Sequence, residues 1–268
     1  METVFKIPEL KKGYKLDLPG TSVYYFDIDH NSSNGPNYLS IFNSFMVENN
    51  WHQFVAPGST TIDIGAHTGD TTIILQYLSR GTTLAVEPIP FNYEYTKFNG
   101  IVNSHLGKII TVEGAVTTSD DVVLEIYDHN NNLLNGGVID PNWSPELQAH
   151  MRGVASQGVR VHGMTLETIC KRYLTNEEIN NISFIKSDTE GHDVSIIRSS
   201  KDFIDRIRPI LFIEWFSGFG PKENTDMFQL FEEIEYTAFD PQTLEPADIN
   251  KPISDLVLIH KEKIKDYI

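Results

Sequence analysis

From residue 60 onward, runs of β-favouring residues alternate with stretches in which apolar side chains recur every three or four positions. The first run, Thr60-Thr61-Ile62-Asp63-Ile64, leads into two glycines, Gly65 and Gly69, and then into Thr71-Thr72-Ile73-Ile74-Leu75, which reads as a helix. A second run covers 82–88. It is followed by Pro90, set where a helix accepts proline in its first turn, and by Phe91, Tyr95 and Phe98 along one face of a helix over 91–102. Further runs cover 108–113, 182–188 and 209–216; Thr165 is a candidate N-cap of one helix, and Val194, Ile196 and Ile197 mark another. A helix over 225–234 and β runs at 236–239 and 256–260 close the series. This alternation predicts an α/β domain over 59–268 with a doubly wound, mostly parallel sheet.

Two stretches depart from it. Residues 1–58 precede the first glycine turn, with a strand over 23–28, a polar loop over 31–37, and a helix over 39–51 carrying Ile41, Phe42, Phe45 and Met46. They form an N-terminal extension or cap, which covers the sheet edge or shapes an acceptor pocket. Between about 120 and 163, two β runs, 122–127 and 159–162, flank a polar connection rich in Asn, Gly and Pro. That pattern predicts a β-hairpin insertion whose connection, 128–158, is a lid or a loop. Trp143 within it is either a sugar-stacking surface or, more commonly, an anchor to the core.

Composition narrows the partners. The 268 residues carry a formal net charge of −16, which disfavours a nucleic-acid partner because phosphate binding draws on clustered Lys and Arg. No apolar run is long enough to span a bilayer, and the charged N-terminus is broken by Pro8, so no signal peptide is expected. The single cysteine, Cys170, excludes an internal disulfide and points to a reducing, cytoplasmic setting.

The chemistry concentrates at the predicted carboxyl ends of the strands, where open α/β sheets bind ligands. The glycines are spaced G-x-x-x-G, unlike the G-x-G-x-x-G of dinucleotide sites, and Asp63 precedes them. A carboxylate there opposes a pyrophosphate and suits a ligand with an ammonium group, such as S-adenosylmethionine. Glu87, at the end of the next run, is placed to accept hydrogen bonds from both ribose hydroxyls of an adenosine ligand. Glu113 is a candidate for the adenine amino group or an ordinary surface acid, with Ala115 beside it on the donor side.

Four segments together resemble the FkbM family of S-adenosylmethionine-dependent methyltransferases: Ile62-Asp63-Ile64-Gly65-Ala66-His67-Thr68-Gly69, Val86-Glu87-Pro88, Thr165-Leu166-Glu167-Thr168-Ile169, and Phe184-Ile185-Lys186-Ser187-Asp188-Thr189-Glu190-Gly191-His192-Asp193. The resemblance implies a seven-stranded, Rossmann-like class I methyltransferase sheet and methyl transfer to a hydroxyl, often on a sugar or natural product. It also implies a donor site at Asp63, Gly65, Gly69 and Glu87, with Asp188 near the reacting groups. His67 stands where the family commonly has Asn, and His192 where it has a small residue.

An alcohol acceptor must lose a proton, and Asp188, His192 and Glu190 are the nearest side chains to take it. Lys186 faces away from Ser187 and reads as a structural ion pair. Asp188 and Glu214 end adjacent runs and offer a less favoured site for a divalent cation; His67 alone gives no ligand spacing. The expected partner is a small-molecule or glycan acceptor. The competing readings are a nicotinamide-dependent oxidoreductase and a non-catalytic ligand-binding module of the same fold.

Overall fold

The central runs Thr60–Ile64 and Thr82–Glu87 are buried along their whole length, as strands covered on both faces are. A computed structural model of the chain describes residues 12–27, 38–128, 136–139, 143–154 and 158–268. The expectations for Pro8, Ile28, the 31–37 loop, Asn130 to Asn132, Asn135 and Pro141-Asn142 lie outside the described residues. The strands are β1 (Lys12–Leu18), β2 (Thr21–Asp27), β3 (Thr60–Ile64), β4 (Thr82–Glu87), β5 (Lys108–Glu113), β6 (Ala115–Val116), β7 (Val122–Asp128), β8 (Gly136–Gly137), β9 (Gly158–Met164), β10 (Ile182–Ser187), β11 (Ile210–Glu214), β12 (Tyr236–Phe239) and β13 (Asp255–His260). The helices that matter below are α1 (Tyr38–Asn43), α2 (Trp51–Phe54), α3 (Asp70–Ser79), α4 (Pro90–Val102), α5 (Pro145–Val154), α6 (Leu166–Tyr173), α7 (Asn176–Asn180), α8 (Asp193–Ser199), α9 (Lys201–Ile207) and α10 (Pro221–Glu233).

The main sheet has seven strands in the order β12-β13-β11-β10-β3-β4-β5. All pairings from β11 to β5 are parallel, and β13 runs antiparallel to both β11 and β12. Dinucleotide-binding sheets share this order apart from the inserted antiparallel strand. The winding reverses between β3 and β10, and the crevice at their carboxyl ends is the ligand position for such sheets.

The segment before β3 is tied into this body. The β1–β2 hairpin lies on α4, where Asn99 and Asn103 bond the β2 backbone at Tyr24 and Phe26. Val23, Tyr25, Tyr38 and Trp51 share one apolar cluster with Ile73, Phe184 and Phe212. The helix expected over 39–51 is interrupted: α1 runs into a π-helical turn, Ser44–Glu48, and α2 restarts after Asn50, whose φ is 57°. The break lets Trp51, fully buried, insert edge-on against Phe184 and Phe212.

The insertion is a second, four-stranded sheet, β6-β9-β7-β8, with α5 included. β7 and β9 pair antiparallel, as a hairpin does, but β6 joins β9 in parallel and α5 was hidden by its Pro and Asn surroundings. Trp143 is 7% exposed and stacks on Phe216 at 5.8 Å, so it anchors the insertion to the loop after β11 and is not a sugar platform. Glu223 completes the clamp, accepting from the N–H groups of Ser144 and Gly220.

Candidate active site

A cavity of about 320 Å³ opens at the β3/β10 crevice. Its wall includes Gly65, His67, Glu87, Ala115, Asp188, Glu190 and His192 from the expected set, together with Asp70, Lys186, Asn92 and Phe45.

The glycine turn is shaped by two close approaches. Gly65 has φ 73°, and a Cβ there would stand 1.9 Å from the Asp188 carbonyl oxygen. Gly69, φ 87°, does not line the cavity; a Cβ there would lie 3.2 Å from Thr96 Cα. The close approach at Gly69 is to α4. Between them His67 takes a left-handed φ of 50° and donates its backbone N–H to Glu87 Oε2 at 2.8 Å. Tyr25 and Tyr38 brace the same turn from behind, through Thr68 Oγ1 at 2.5 Å and the Asp70 carbonyl at 3.1 Å.

Asp63 is fully buried and lies outside the lining of the cavity. Its Oδ2 accepts from the hydroxyls of Thr71 at 2.9 Å and Thr72 at 2.6 Å, and its Oδ1 lies 3.3 Å from Lys186 Nζ. Lys186 also donates to the Gly65 carbonyl at 2.9 Å and pairs with Asp188 at 3.4 Å. Burial pushes this ammonium toward losing its proton, but Asp63, Asp188 and Asp70 outweigh that and hold its pKa above the ordinary value.

Glu87 ends β4 with both oxygens anchored, Oε1 by the Ile89 N–H and Oε2 by the His67 N–H. Burial pushes its carboxyl up to about 7 against those two hydrogen bonds. Glu113 is level with it on β5 but exposed, because β5 is the sheet edge, and Gly114, Ala115 and Val116 line the cavity there.

Opposite lies the loop after β10. Asp188 is half-exposed beside Lys186, and Glu190, at a left-handed φ of 56°, is pushed up to about 7 by burial and by the charges of Asp188 and Asp193. Gly137 of the insertion lies against Glu190, where a Cβ would come within 2.9 Å of the Glu190 carbonyl. Glu214 is outside the cavity wall; burial and the neighbouring Asp193, Asp188 and Glu190 raise its carboxyl to about 9. Among the described residues no group of three or more His, Cys, Asp or Glu converges as a metal site.

Two acids on the wall, Glu87 and Asp70, and an anchored glycine turn at a winding reversal fit an adenosyl donor. The strand order is that of the Rossmann-like class I methyltransferase fold. Residues 63–238 match the methyltransferase FkbM domain, and the chain belongs to that family. Among solved structures, a methyltransferase FkbM from Methylobacillus flagellatus KT is 13% identical, covering 83% of this chain and 53% of its own, at a TM-score of 0.45. This chain thus spans about half the length of that protein. The Methanococcus jannaschii fibrillarin pre-rRNA processing protein is 12% identical over 97% of this chain and 87% of its own, at 0.45. A Streptococcus mutans protein in complex with S-adenosylhomocysteine is 11% identical over 84% and 99%, at 0.42. No curated protein sequence matches the chain. No described helix is long and apolar enough to cross a membrane.

Lys186 and Asp70 were not assigned to the ligand wall from sequence. For Asp70 a signal existed: an acid directly after Gly69 must sit in the first turn of the helix, beside whatever occupies the turn.

Proposed function

We propose that the chain transfers a methyl group from S-adenosylmethionine to a hydroxyl of a sugar, a glycan or a glycosylated small molecule. When bound, the donor supplies an electrophilic methyl carbon carried on a sulfonium. Glu87 accepts hydrogen bonds from the ribose hydroxyls, Ala115 and the neighbouring backbone flank the base, and Ile126, Gly137 and Val138 of the insertion line the cavity beside them. Asp188, Glu190 and His192 stand together on the opposite wall. The observation that carries the hydroxyl acceptor is the pair of acids Asp188 and Glu190 on the cavity wall, where burial and the neighbouring acids push the Glu190 carboxyl up to about 7 and suit it to accepting an alcohol proton. Neighbouring acids also accept hydrogen bonds from the vicinal hydroxyls of a sugar.

Calorimetry with S-adenosylhomocysteine and, separately, NAD tests the donor. Binding of the first alone is expected, and binding of NAD alone refutes the reading. With labelled donor and a panel of saccharides, the product should carry the label as a methyl ether; label found only on amines would remove the hydroxyl assignment.

The donor site should also report pH. Glu87 is ionised above about 7, and a proton taken up below that removes an acceptor from the ribose site. Affinity for S-adenosylhomocysteine should therefore fall by roughly tenfold as pH drops through that value. Glu87→Gln should bind weakly with a flattened profile; an unchanged slope would assign the dependence to another group.

A further inference from the structure

The amino-acid end of the donor needs a counter-charge for its ammonium, and the acid that precedes the glycine turn is already taken. Asp63 has two threonine hydroxyls on one oxygen and the Lys186 ammonium at the other. The same ammonium holds the Gly65 carbonyl. Lys186 thus lies, from inside the protein, against both Asp63 Oδ1 and the Gly65 carbonyl. It is 4% exposed at its side chain and cannot swing away without leaving Asp63 buried and charged.

One acid on that side of the cavity is differently placed. Asp70 opens α3, lines the cavity with Gly65, His67 and Thr71, and its carboxylate accepts one hydrogen bond among the described residues, from the Thr71 N–H at 2.8 Å. The Tyr38 hydroxyl holds the Asp70 backbone carbonyl, so the residue is fixed in place. We propose that Asp70, and not Asp63, is the counter-charge for the α-ammonium group of the donor, and that Lys186 is a positioning residue that closes Asp63 and the Gly65 carbonyl to ligands. The inference rests on the donor reading above. Burial raises the Asp70 carboxyl to about 6, against the opposing pull of Lys186 and of the Thr71 N–H.

The test compares three ligands by calorimetry: S-adenosylhomocysteine, its analogue lacking the α-amino group, and 5′-methylthioadenosine, which lacks the whole amino-acid end. The wild-type chain should bind the deaminated analogue roughly 10- to 100-fold more weakly than S-adenosylhomocysteine. In Asp70→Asn, which keeps an acceptor for the Thr71 N–H, that ratio should shrink to about twofold, while 5′-methylthioadenosine binds as in the wild type. Asp70→Ser gives a second variant with a side-chain acceptor should the first melt early. Asp63→Asn should keep the amine discrimination whatever it does to stability. Full discrimination in both Asp70 variants, or its loss in Asp63→Asn alone, overturns the proposal. If no adenosyl ligand binds the wild type, the donor reading itself fails and this inference with it; discrimination that survives at Asp70 removes only the inference.

Discussion

Gly65→Ala is expected to abolish detectable binding of S-adenosylhomocysteine and to lower the melting temperature by roughly 5–15 °C. Two costs combine. The residue sits at φ 73°, which a Cβ disfavours by about 1 kcal/mol or more, and the added carbon would be forced to 1.9 Å from the Asp188 carbonyl oxygen. That oxygen belongs to backbone, and the Asp188 N–H is bonded to the Ile64 carbonyl at 3.1 Å, so β3 and the loop after β10 must part to make room. Parting them separates the two walls of the cavity. Gly58→Ala is the control, since Gly58 has a similar φ of 79° but nothing within 4 Å of an added Cβ. It should cost only about 1 kcal/mol and leave ligand affinity unchanged. Equal losses in the two variants would show that the close approach is not what Gly65 provides.

Lys186→Met should be the most destabilising of the single changes considered, by about 3–5 kcal/mol in urea unfolding. The methionine fills similar space but leaves Asp63, fully buried, without its ammonium, and the Gly65 carbonyl without a donor. Lys186→Met/Asp63→Asn should regain part of the loss, because the amide oxygen still accepts from Thr71 and Thr72. Additive single and double effects would mean that the two groups do not act as a pair.

These expectations also mark where the sequence was legible. The β runs at 60–64, 108–113, 236–239 and 256–260, Pro90 in the first turn of α4 and Thr165 as a side-chain N-cap are all local signals, and each is found in place. The sequence pattern does not single out β1 although its polar and apolar residues alternate, and the apolar spacing over 39–51 predicts one continuous helix because it does not reveal the left-handed Asn50. In the insertion, Gly136-Gly137 falls within the polar connection expected as a lid or a loop, yet it pairs with β7 as a short strand, with Gly137 lying against Glu190.

At the site, the sequence by itself determined the glycine turn, the acid at the end of β4 and the acid-rich loop after β10, because strand ends, turns and the need for positive φ are encoded in neighbouring residues. It also carried enough of the family pattern to indicate the donor. Only the tertiary structure decided which acid meets the cavity. β3 and β10 are far apart in sequence but adjacent and parallel, with Lys186 in register beside Asp63, and parallel neighbours in register point to the same side. That pairing places an ammonium on Asp63 and leaves Asp70 on the wall. Strand order likewise put Glu87 inside the sheet and Glu113 on its edge, although both end a strand in the same way. Neighbour relations across a sheet depend on which strands pair, and that choice is made by burying the whole core at once, not by any one segment's residues.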